Sequence, residues 1–300
     1  MVRALDLFCG AGGSSWGARG AGVEIVKGID NDPVAVSTFA DNFPSAKSMN
    51  PVTAESVELN ELRRSVGSID LLLASPECTD HTHAKGSAPK LESSRRKALQ
   101  VIRYAEALEC RWICVENVVN MANWSGYGDF VRDLERLGYR IRTQKLNAAD
   151  FGVPQSRRRL FLLGDREELP PEVAPPQQAR RRSVKSVIAR HKRYVSTPLE
   201  LDGRATATLE RATRARNELG DGVSFLIVYY GTDKAGGWQR IDAPLRTVTT
   251  IDRFALVTWA GDVPMMRMLQ PDELSRAMGF NLDSKSKFKL RYGTRRDRVE

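Results

Sequence analysis

A short apolar run that ends abruptly in Ser-Pro constrains this sequence more than any other feature. Residues 69–74 read Ile-Asp-Leu-Leu-Leu-Ala, and Ser75 and Pro76 follow directly. Apolar runs that are bounded by turn residues are typical of strands buried on both faces of a parallel sheet. Because comparable runs alternate with helix-like segments over the first half of the chain, the sequence predicts an α/β fold with a mostly parallel sheet.

Cys78 lies just beyond this predicted strand. In open α/β sheets, ligands and catalytic groups lie beyond the carboxyl ends of the parallel strands, where a thiolate nucleophile would be useful. Position alone favours a different interpretation, a small buried cysteine, because free cysteine is among the most buried residue types. The spacing of the other cysteines, Cys9, Cys110 and Cys114, matches neither a disulfide framework nor a zinc site, so we expect reduced thiols and no metal.

Charge and composition limit the possible partners. The 300 residues carry a formal net charge of +9, and the sequence pI is about 9.5. This excess favours a polyanionic partner, nucleic acid first. No apolar stretch reaches the length of a membrane span, and the N-terminus has no signal-peptide pattern, so we expect an intracellular protein without membrane contact. The length allows one large α/β domain and a smaller one.

A glycine-rich turn follows the first predicted strand. Residues 9–17 read Cys-Gly-Ala-Gly-Gly-Ser-Ser-Trp-Gly and lead into a helix-like stretch. Such a turn lets the backbone approach a ligand, although an ordinary tight turn has the same composition. Asp30 ends the second predicted strand, where nucleoside-binding folds place a carboxylate on the ribose hydroxyls. Asp32 precedes Pro33 and is expected to cap the next helix.

Charged residues near the predicted strand ends extend the candidate site. Glu116 follows the apolar strand 111–115 and would face the same crevice as Cys78; a surface glutamate that caps the next helix is the alternative. The segment 79–94 is polar and basic and has no hydrophobic period, which suits a lid over a phosphate-bearing substrate. Its two histidines lack carboxylate or thiolate neighbours, so we expect them to face phosphate or solvent rather than a metal.

The character of the sequence changes at about residue 165. Residues 169–176 are rich in Pro and Glu, as in a linker, and residues 179–193 are strongly basic. Strand-like runs follow, among them 223–230 and 245–250. We therefore predict a separate small domain that is richer in strand and whose basic surface contacts phosphates.

Five segments, in this order, resemble the motifs of the DNA cytosine-5 methyltransferases. The segments are Asp6–Gly13, Asp70–Cys78, Glu116–Val118, Gln155–Arg159 and Arg246–Thr249. Each motif alone is modest evidence, but five motifs at family spacing over nearly the whole chain are specific. Within the family, the sequence most resembles the phage and bacterial members whose nucleophile motif is a similar Ser-Pro-Glu-Cys variant.

The resemblance implies a three-part organisation. Residues 1–164 would form a Rossmann-like, S-adenosylmethionine-dependent cofactor-binding and catalytic domain. Residues 165–245 would form the smaller target-recognition domain, and residues 246–300 would return to the catalytic domain. The family normally continues into a Gly-Asn-x-Val segment that packs under the cofactor. The sequence stops before such a segment, so by this resemblance the C-terminal part either lacks the segment or is truncated.

The family's reaction transfers a methyl group from S-adenosylmethionine to C5 of a cytosine that is flipped out of double-stranded DNA. By resemblance, Cys78 adds to C6 of the base, Glu116 shares a proton with N3, and Arg159 holds O2. Asn117 matches the neighbour of the glutamate, and Arg157 supports Arg159. The second product would be S-adenosylhomocysteine, and no metal would take part.

The same resemblance assigns two further groups of residues. The cofactor-binding group surrounds the glycine turn and the neighbouring strand ends: Phe8, Gly10, Gly12, Gly13, Asp30, Asn31, Asn50, Pro51 and Pro76. The nucleic-acid-binding group lies in the loop after the nucleophile, in the basic domain and in the last motif: Thr79, His81, His83, Lys85, Arg180, Arg181, Arg182, Arg246 and Thr249. Asn31 stands where many relatives have an aromatic residue, and Asn50 stands where they usually have Asp.

Two residues beside the nucleophile depart from the family pattern. Glu77 replaces the usual proline before Cys78, and Thr79 replaces the usual glutamine after it. A carboxylate that points toward a thiol raises the thiol's pKa and slows attack. We therefore expect Glu77 to point away from the thiol, or to be neutralised by Lys85 or an arginine.

Two other functions remain open at this point. One is cytosine-5 methylation of RNA by an enzyme of the similar tRNA-modifying type, and the other is a catalytically weak relative that only binds DNA. The separate basic domain favours double-stranded DNA as the partner. We expect a monomer in the cytoplasm, associated with the nucleoid, of a bacterial or phage-infected cell. The sequence leaves open the target site and the role in restriction–modification, phage protection or regulation.

Overall fold

The computed structural model describes residues 1–46, 51–77, 91–189, 193–230, 236–249, 251–282 and 287–290. These residues pack into two units. Among the described residues, the first unit draws on the ranges 1–146, 158–174 and 289–290, and the second on 147–157 and 175–288. Packing alone defines these units, so the functional division of the chain after residues 164 and 245 stays a prediction.

A six-stranded sheet with flanking helices forms the first unit. Its helices and strands are β1 (Arg3–Leu7), α1 (Gly13–Gly20), β2 (Glu24–Ile29), α2 (Pro33–Asn42), α3 (Leu59–Val66), β3 (Leu71–Ala74), α4 (Leu91–Leu108), β4 (Trp112–Val118), α5 (Tyr127–Arg136), β5 (Arg140–Asn147) and β6 (Arg158–Asp165). The strand order is β2-β1-β3-β4-β6-β5. The pairs β1–β2, β1–β3 and β3–β4 are parallel, and β6 runs antiparallel to β4. This arrangement confirms the predicted α/β fold with a mostly parallel sheet.

The apolar run that ends in Ser-Pro forms β3 in the middle of this sheet. Leu72, Leu73 and Ala74 are buried, because β3 lies between β1 and β4 and helices pack against the sheet. A strand in this position is apolar on both faces, as the continuous run predicts. The predicted helix cap is also confirmed: the carboxylate of Asp32 accepts a hydrogen bond from Ala35 N (2.7 Å), and Pro33 occupies the first turn of α2.

The strand ends that lie nearest to the candidate site meet at one edge of the sheet. The three parallel strands β1, β3 and β4 all point their C-terminal ends to this edge. Because β6 runs in the opposite direction, its N-terminal end lies at the same edge, and Arg159 pairs with Val118. The residues that follow β1 and β3 therefore lie at the same edge as the last residues of β4 and the first residues of β6.

The second unit is built on a five-stranded antiparallel sheet. Its helices and strands are β7 (Thr197–Pro198), α6 (Thr206–Leu219), β8 (Phe225–Val228), β9 (Trp238–Arg240), β10 (Phe254–Ala260), β11 (Val263–Met268) and α7 (Pro271–Ala277). The strand order is β7-β11-β10-β8-β9. Along β8, Phe225 and Ile227 join the core on the α6 face, whereas Leu226 and Val228 join the core on the α7 face. This alternation is the period-2 pattern of a strand that is covered on both faces.

A buried ion pair anchors α7 in the second unit. The two terminal guanidinium nitrogens of Arg267, Nη1 and Nη2, each lie 2.7 Å from a carboxylate oxygen of Glu273, and the two side chains are 8% and 1% exposed. The same carboxylate accepts hydrogen bonds from Ala189 N (2.7 Å) and from Gln270 N (2.8 Å). Glu273 therefore joins β11, the start of α7 and the chain near residue 189 through one buried group.

The predicted strand at residues 245–250 is wrong for its described part. Leu245 makes a single bridge with Gln155, and residues 246–249 form no ladder. The amide of Arg246 instead donates to the side-chain oxygen of Gln239 (3.1 Å). A side chain thus satisfies a backbone group that a neighbouring strand would otherwise satisfy.

Candidate active site

The predicted site residues fall into three sets. Six of them lie outside the described residues: Asn50, Cys78, Thr79, His81, His83 and Lys85. A second set belongs to the first unit and gathers at the edge of the sheet where β1, β3 and β4 end. A third set belongs to the second unit and includes Arg157, the basic residues near 180 and the last motif.

The glycine turn after β1 adopts backbone conformations that favour glycine. The φ angles of Gly10 and Gly12 are 50° and 95°, and Phe8 also has a positive φ of 58°. Gly10 N donates to Asp30 Oδ2 (2.8 Å), and Asp32 N donates to Asp30 Oδ1 (3.0 Å). Because each carboxylate oxygen has two lone pairs, Asp30 holds this turn and retains acceptor capacity for ligand hydroxyls.

Gly12 provides the tightest packing in this turn. A Cβ atom there would lie 2.6 Å from the ring of Phe43 and 2.9 Å from the ring of Phe39, whereas a Cβ atom at Gly10 would meet nothing within 4 Å. We expect Gly12→Ala to lower the free energy of unfolding of the first unit by about 2–4 kcal/mol, and Gly10→Ala by about 1 kcal/mol, because only the first adds a clash to the strain of a positive φ. Urea denaturation of the two variants tests this; equal losses would contradict it.

Asp6 is a buried carboxylate beneath the glycine turn. It lies between Leu5 and Leu7 in β1, is fully buried, and accepts hydrogen bonds from Ser15 Oγ (2.7 Å) and Ser15 N (3.2 Å) through Oδ2. Its Oδ1 atom has no hydrogen-bond partner among the described residues. Burial raises the pKa of Asp6 from 3.8 to about 6, against the opposing effect of Ser15.

This raised pKa predicts a pH dependence of stability. The native state holds the Asp6 proton more tightly than the unfolded state, so Asp6 makes folding progressively less favourable as the pH rises from about 4 to about 6. Asp6→Asn removes this effect. From pH 4 to pH 7, the unfolding free energy of the variant should therefore rise relative to the wild type by about 2–3 kcal/mol. Denaturant titrations at the two pH values measure the change; a difference that is independent of pH would contradict the prediction.

Hydrogen bonds from neighbouring elements hold the segment that follows β3. Ser75 N donates to Leu7 O (3.1 Å), and the hydroxyls of Ser75 and Ser14 lie 3.1 Å apart. The buried Asn117 side chain donates to Pro76 O (2.9 Å), and its own oxygen accepts from Val118 N (2.8 Å). The backbone two residues before Cys78 is thus fixed by the amide of the Glu-Asn-Val segment.

Glu116 and Arg159 form an ion pair at the same edge of the sheet. Arg159 Nε lies 2.8 Å from Glu116 Oε1, and the two side chains are 16% and 23% exposed. Glu116 pairs across the ladder with Phe161, and Arg159 pairs with Val118, so the two charged residues are diagonal neighbours on one face. The antiparallel register between β4 and β6 therefore brings these two sequence-predicted residues together.

The side chain of Glu77, three residues after β3, contacts α4. Its carboxylate oxygen Oε2 lies 2.7 Å from Lys97 Nζ, and the side chains of Glu77 and Lys97 are 74% and 24% exposed. The sequence predicts that Glu77 points outward or is neutralised by Lys85 or an arginine. The described contact is with Lys97, on α4.

Three of the four thiols have raised pKa values. Burial, together with the charges of Asp6 and Asp30, holds the pKa of Cys9 well above its usual range. Burial also raises the pKa of Cys110, and it raises that of Cys114 to about 12. Near neutral pH these three thiols are protonated and therefore poor nucleophiles.

The predicted nucleic-acid-binding residues of the second unit have mixed surroundings. Arg180, Arg181 and Arg182 are all exposed. The guanidinium group of Arg181 already donates twice to Asp150 Oδ1, at 2.8 and 2.6 Å. Arg180 and Arg182 are therefore better placed than Arg181 to reach a new anion.

The last motif is held by side chains of the second unit. Arg246 N donates to the buried side chain of Gln239, whose amide nitrogen donates to Pro244 O (2.6 Å). Thr249 Oγ1 donates to Ile251 O (3.1 Å). The hydrogen bonds of Gln239 thus fix the backbone from which the Arg246 side chain extends.

The remaining predicted residues are placed as follows. Gly13, Asn31 and Pro51 are exposed, and Pro76 is buried. Arg157 O accepts a hydrogen bond from Ala148 N (3.0 Å) within the second unit. The exposed side chain of Asn31 is accessible to a ligand.

Three residues near these groups escaped the sequence-based assignment. Asp6 gave a signal, since a carboxylate inside an apolar strand requires a reason. Lys97 and Gln239 gave none. Lys97 contacts Glu77, which is 20 positions away in sequence, and Gln239 accepts from the backbone amide of Arg246, 7 positions away, so neither contact follows from the local pattern. Within the described ranges, no group of three His, Cys, Asp or Glu side chains is arranged to hold a metal ion. None of the helices described is long and apolar enough to cross a membrane.

Comparisons with known proteins agree with the motif pattern. The sequence profile of the C-5 cytosine-specific DNA methylases matches residues 2–297. The Type II methyltransferase M.AgeI of Thalassovita gelatinovora is 29% identical over 183 residues, which cover 59% of this chain and 42% of that protein. The Type II methyltransferase M.XorII of Xanthomonas oryzae is 33% identical over 191 residues, covering 59% and 43%. The chain thus matches less than half the length of these curated relatives.

Solved structures show the same fold at low sequence identity. The S. pombe Dnmt2 methyltransferase aligns with a TM-score of 0.63 and 18% identity, covering 99% of this chain and 92% of that one. The Entamoeba histolytica methyltransferase EhMeth aligns with a TM-score of 0.64 and 14% identity, covering 100% and 92%.

Proposed function

The chain belongs to the C-5 cytosine-specific DNA methylase family, and from that premise we propose that it methylates C5 of cytosine in double-stranded DNA, with S-adenosylmethionine as the methyl donor. One observation carries the proposal. At the edge of the sheet where β3 ends, two residues before Cys78, Asn117 holds Pro76 O while its neighbour Glu116 pairs with Arg159. An acid, a cation and a fixed backbone beside a thiol are the groups that this reaction needs.

The turn after β1 fits a nucleoside cofactor. Gly10 leaves space for a ligand to approach the backbone, since a Cβ atom there would meet nothing within 4 Å, and Asp30 keeps acceptor capacity for ribose hydroxyls. Asp6 Oδ1, buried and without a partner among the described residues, is a second acceptor beneath the turn. When bound, S-adenosylmethionine supplies the methyl group. We assign its contacts to Phe8, Gly10, Gly12, Gly13, Asp30, Asn31, Asn50, Pro51 and Pro76.

Cys78 is proposed as the nucleophile. Its Sγ atom forms a bond to C6 of the flipped cytosine, which makes C5 nucleophilic enough to accept a methyl group. Loss of the C5 proton and breakage of the Sγ–C6 bond then restore the aromatic ring and the free thiolate. The raised pKa values of Cys9, Cys110 and Cys114 support this assignment, because those three thiols are protonated near neutral pH.

Glu116 and Arg159 are proposed to act on the polar edge of the base. Addition of a thiolate at C6 builds negative charge that reaches N3 and O2. A proton shared by Glu116 relieves this charge at N3, and the guanidinium of Arg159 relieves it at O2. Their ion pair supports these roles, because it fixes both side chains before the base arrives. Asn117 and Arg157 are proposed as supporting residues.

Double-stranded DNA is the proposed partner. The exposed Arg180 and Arg182 of the second unit, with the net charge of +9, suit a phosphate backbone. Thr79, His81, His83, Lys85, Arg181, Arg246 and Thr249 complete the proposed contact set. The relatives named Type II methyltransferases come from bacteria, which supports action on DNA in a bacterial or phage-infected cell.

Covalent trapping tests this proposal. We expect the protein, with S-adenosylmethionine, to form a stable complex with duplex DNA that contains 5-fluorocytosine, since fluorine cannot leave C5 as a proton does. Cys78→Ser should form no complex, and a matched 5-fluorocytosine RNA should form none with the wild type. A complex with RNA alone would favour RNA methylation, and binding of DNA without any complex would favour a non-catalytic relative. Bisulfite sequencing of DNA from expressing cells would then give the target site.

A further inference from the structure

One segment of the first unit, residues 51–57, is held by side chains of α4. The guanidinium group of Arg103 donates to three of its backbone carbonyls: to Val57 O from Nη2 (2.8 Å), and to Ala54 O (3.2 Å) and Glu55 O (3.3 Å) from Nη1. A guanidinium presents five N–H donors in one rigid plane, so a single arginine can bind several carbonyls at once. One helix residue therefore fixes the backbone of this segment at three points.

Tyr104, the next residue of α4, adds a fourth contact. Its side chain is fully buried, and its hydroxyl donates to Ala54 O (3.1 Å), which also accepts from Arg103. Burial raises the pKa of Tyr104 above its usual value, so the hydroxyl keeps its proton and remains a donor. The carbonyl of the buried Ala54 is thus bound by two adjacent residues of one helix.

The segment has little structure of its own. Residues 54–56 form a single 3₁₀ turn, and Ser56 N donates to Thr53 O (3.1 Å). Turns of this kind are short and have poor hydrogen-bond geometry, so they add little stability by themselves. The position of the segment therefore depends on the groups that bind its carbonyls.

The start of the segment is anchored to the residue that is proposed to bind the ribose. Val52 N donates to Asp30 O (2.9 Å), and the carboxylate of Asp30 holds Gly10 N (2.8 Å). The exposed Pro51, which is assigned to the cofactor, directly precedes Val52. Only one residue separates Val52 from Ala54, where the contacts of α4 begin. The segment is thus fixed at Asp30 on one side and at α4 on the other.

We propose that Arg103 and Tyr104 are positioning residues for the cofactor: by holding the carbonyls of residues 54–57, they set the positions of Pro51 and Val52 before the cofactor binds. Both lie outside the five motif segments, and neither is assigned a contact with the ligand. The inference rests on the proposed cofactor site. An ordered segment leaves less conformational entropy to be lost on binding, so removal of these contacts should weaken affinity and leave the chemical step unchanged.

The test compares Arg103→Met, Arg103→Lys and Tyr104→Phe with two matched controls, Tyr139→Phe and Arg63→Met. Calorimetry gives the Kd of S-adenosylhomocysteine for each protein, and hydrogen exchange follows the amide of Val52 in the absence of ligand. Methyl transfer on duplex DNA gives kcat and the KM for S-adenosylmethionine. Thermal unfolding checks that each variant is folded.

The controls remove similar contacts at another place in the first unit. The buried Tyr139 donates from its hydroxyl to Cys110 O (2.7 Å), and Arg63 donates to Ala107 O (3.4 Å) and pairs with Glu109. These partners lie just before the start of β4, whereas the candidate site lies where β4 ends. A general loss of stability would therefore affect the controls as well.

Arg103→Met should raise the Kd of S-adenosylhomocysteine by about five- to twentyfold, and Tyr104→Phe by about two- to fivefold, because binding must then also order the segment. Arg103→Lys, which keeps a donor but not the planar fork, should lie between the wild type and Arg103→Met. The amide of Val52 should exchange faster in Arg103→Met than in the wild type. The KM for S-adenosylmethionine should rise with the Kd, whereas kcat at saturating cofactor should change by less than about twofold. Both controls should bind within about twofold of the wild type.

Two results would overturn the inference while leaving the proposed cofactor site intact. One is a folded Arg103→Met variant that binds S-adenosylhomocysteine as tightly as the controls do. The other is a raised Kd with unchanged exchange at Val52, since the segment would then not be the cause. If Arg103→Met does not fold, Tyr104→Phe against Tyr139→Phe decides in the same way, because each loses only one hydroxyl. By contrast, a wild type that does not bind S-adenosylhomocysteine would overturn the proposed cofactor site itself.

Discussion

Replacing Glu116 by Gln should slow methyl transfer by about 10²- to 10⁴-fold, the range of a lost general acid. The glutamine keeps the shape of the side chain and can still accept a hydrogen bond from Arg159, but it cannot deliver a proton to N3. Because the base still binds, the loss should appear in kcat rather than in KM. Single-turnover methylation of duplex DNA at saturating cofactor measures this directly.

A matched control separates the role of this carboxylate from a general loss of charge. Glu109→Gln removes the acid of an exposed ion pair with Arg63 at a distance from the site, and it should leave the rate within about twofold of the wild type. If Glu116→Gln also stays within about threefold, Glu116 supplies no proton in the slow step. Arg159→Lys is a useful companion, since it keeps the charge but loses the planar guanidinium.

Replacing Glu273 by Gln should lower the free energy of unfolding of the second unit by about 3–5 kcal/mol, the cost of leaving one charge of a buried ion pair without its partner. Arg267, 8% exposed, would lose the charge of its partner and at least one of its two 2.7 Å contacts, and its own charge would remain in the interior. The amide at Ala189 and the amide at Gln270 would share a weaker acceptor. Denaturant unfolding, with hydrogen exchange at Ala189 N, measures the effect.

Two comparisons sharpen this second prediction. The double variant Arg267→Gln with Glu273→Gln should recover part of the loss, because the unpaired charge is gone. Glu200→Gln, which removes a 70% exposed carboxylate from Arg216, should change stability by less than about 1 kcal/mol. Equal losses of unfolding free energy in Glu273→Gln and Glu200→Gln would contradict the prediction, because they would mean that burial of the Arg267–Glu273 pair does not increase the cost of breaking it.

The structure of the first unit could be predicted from the sequence where it depends only on neighbouring residues. The apolar run at 69–74 and the Asp32-Pro33 cap depend on residues that are adjacent in sequence, and both predictions are confirmed. The meeting of Glu116 with Arg159 depends also on the direction of β6. The apolar pattern of a strand does not reveal its direction, so here the order of the family motifs supplied what periodicity leaves open.

The contacts that the sequence did not predict join residues that are far apart or use side chains in place of a ladder. Arg181 was assigned to DNA from its place in a basic run, and Asp150 binds it from thirty-one residues upstream. Residues 245–249 have the apolar content of a strand, yet Gln239 takes the backbone group of Arg246. Propensity and charge runs describe one segment at a time and carry no information about such partners.

The two hydrogen bonds that Asp30 accepts have a consequence for engineering this site. Because the same carboxylate holds Gly10 N and Asp32 N, the turn is shaped before any ligand arrives, and little ordering entropy remains to be lost on binding. If Asp30 binds the ribose as proposed, a substitution there would disturb the turn and the ligand contact together. Asn31 is adjacent and exposed, so a substitution at Asn31 would test its proposed cofactor contact while the hydrogen bonds of Asp30 still hold the turn.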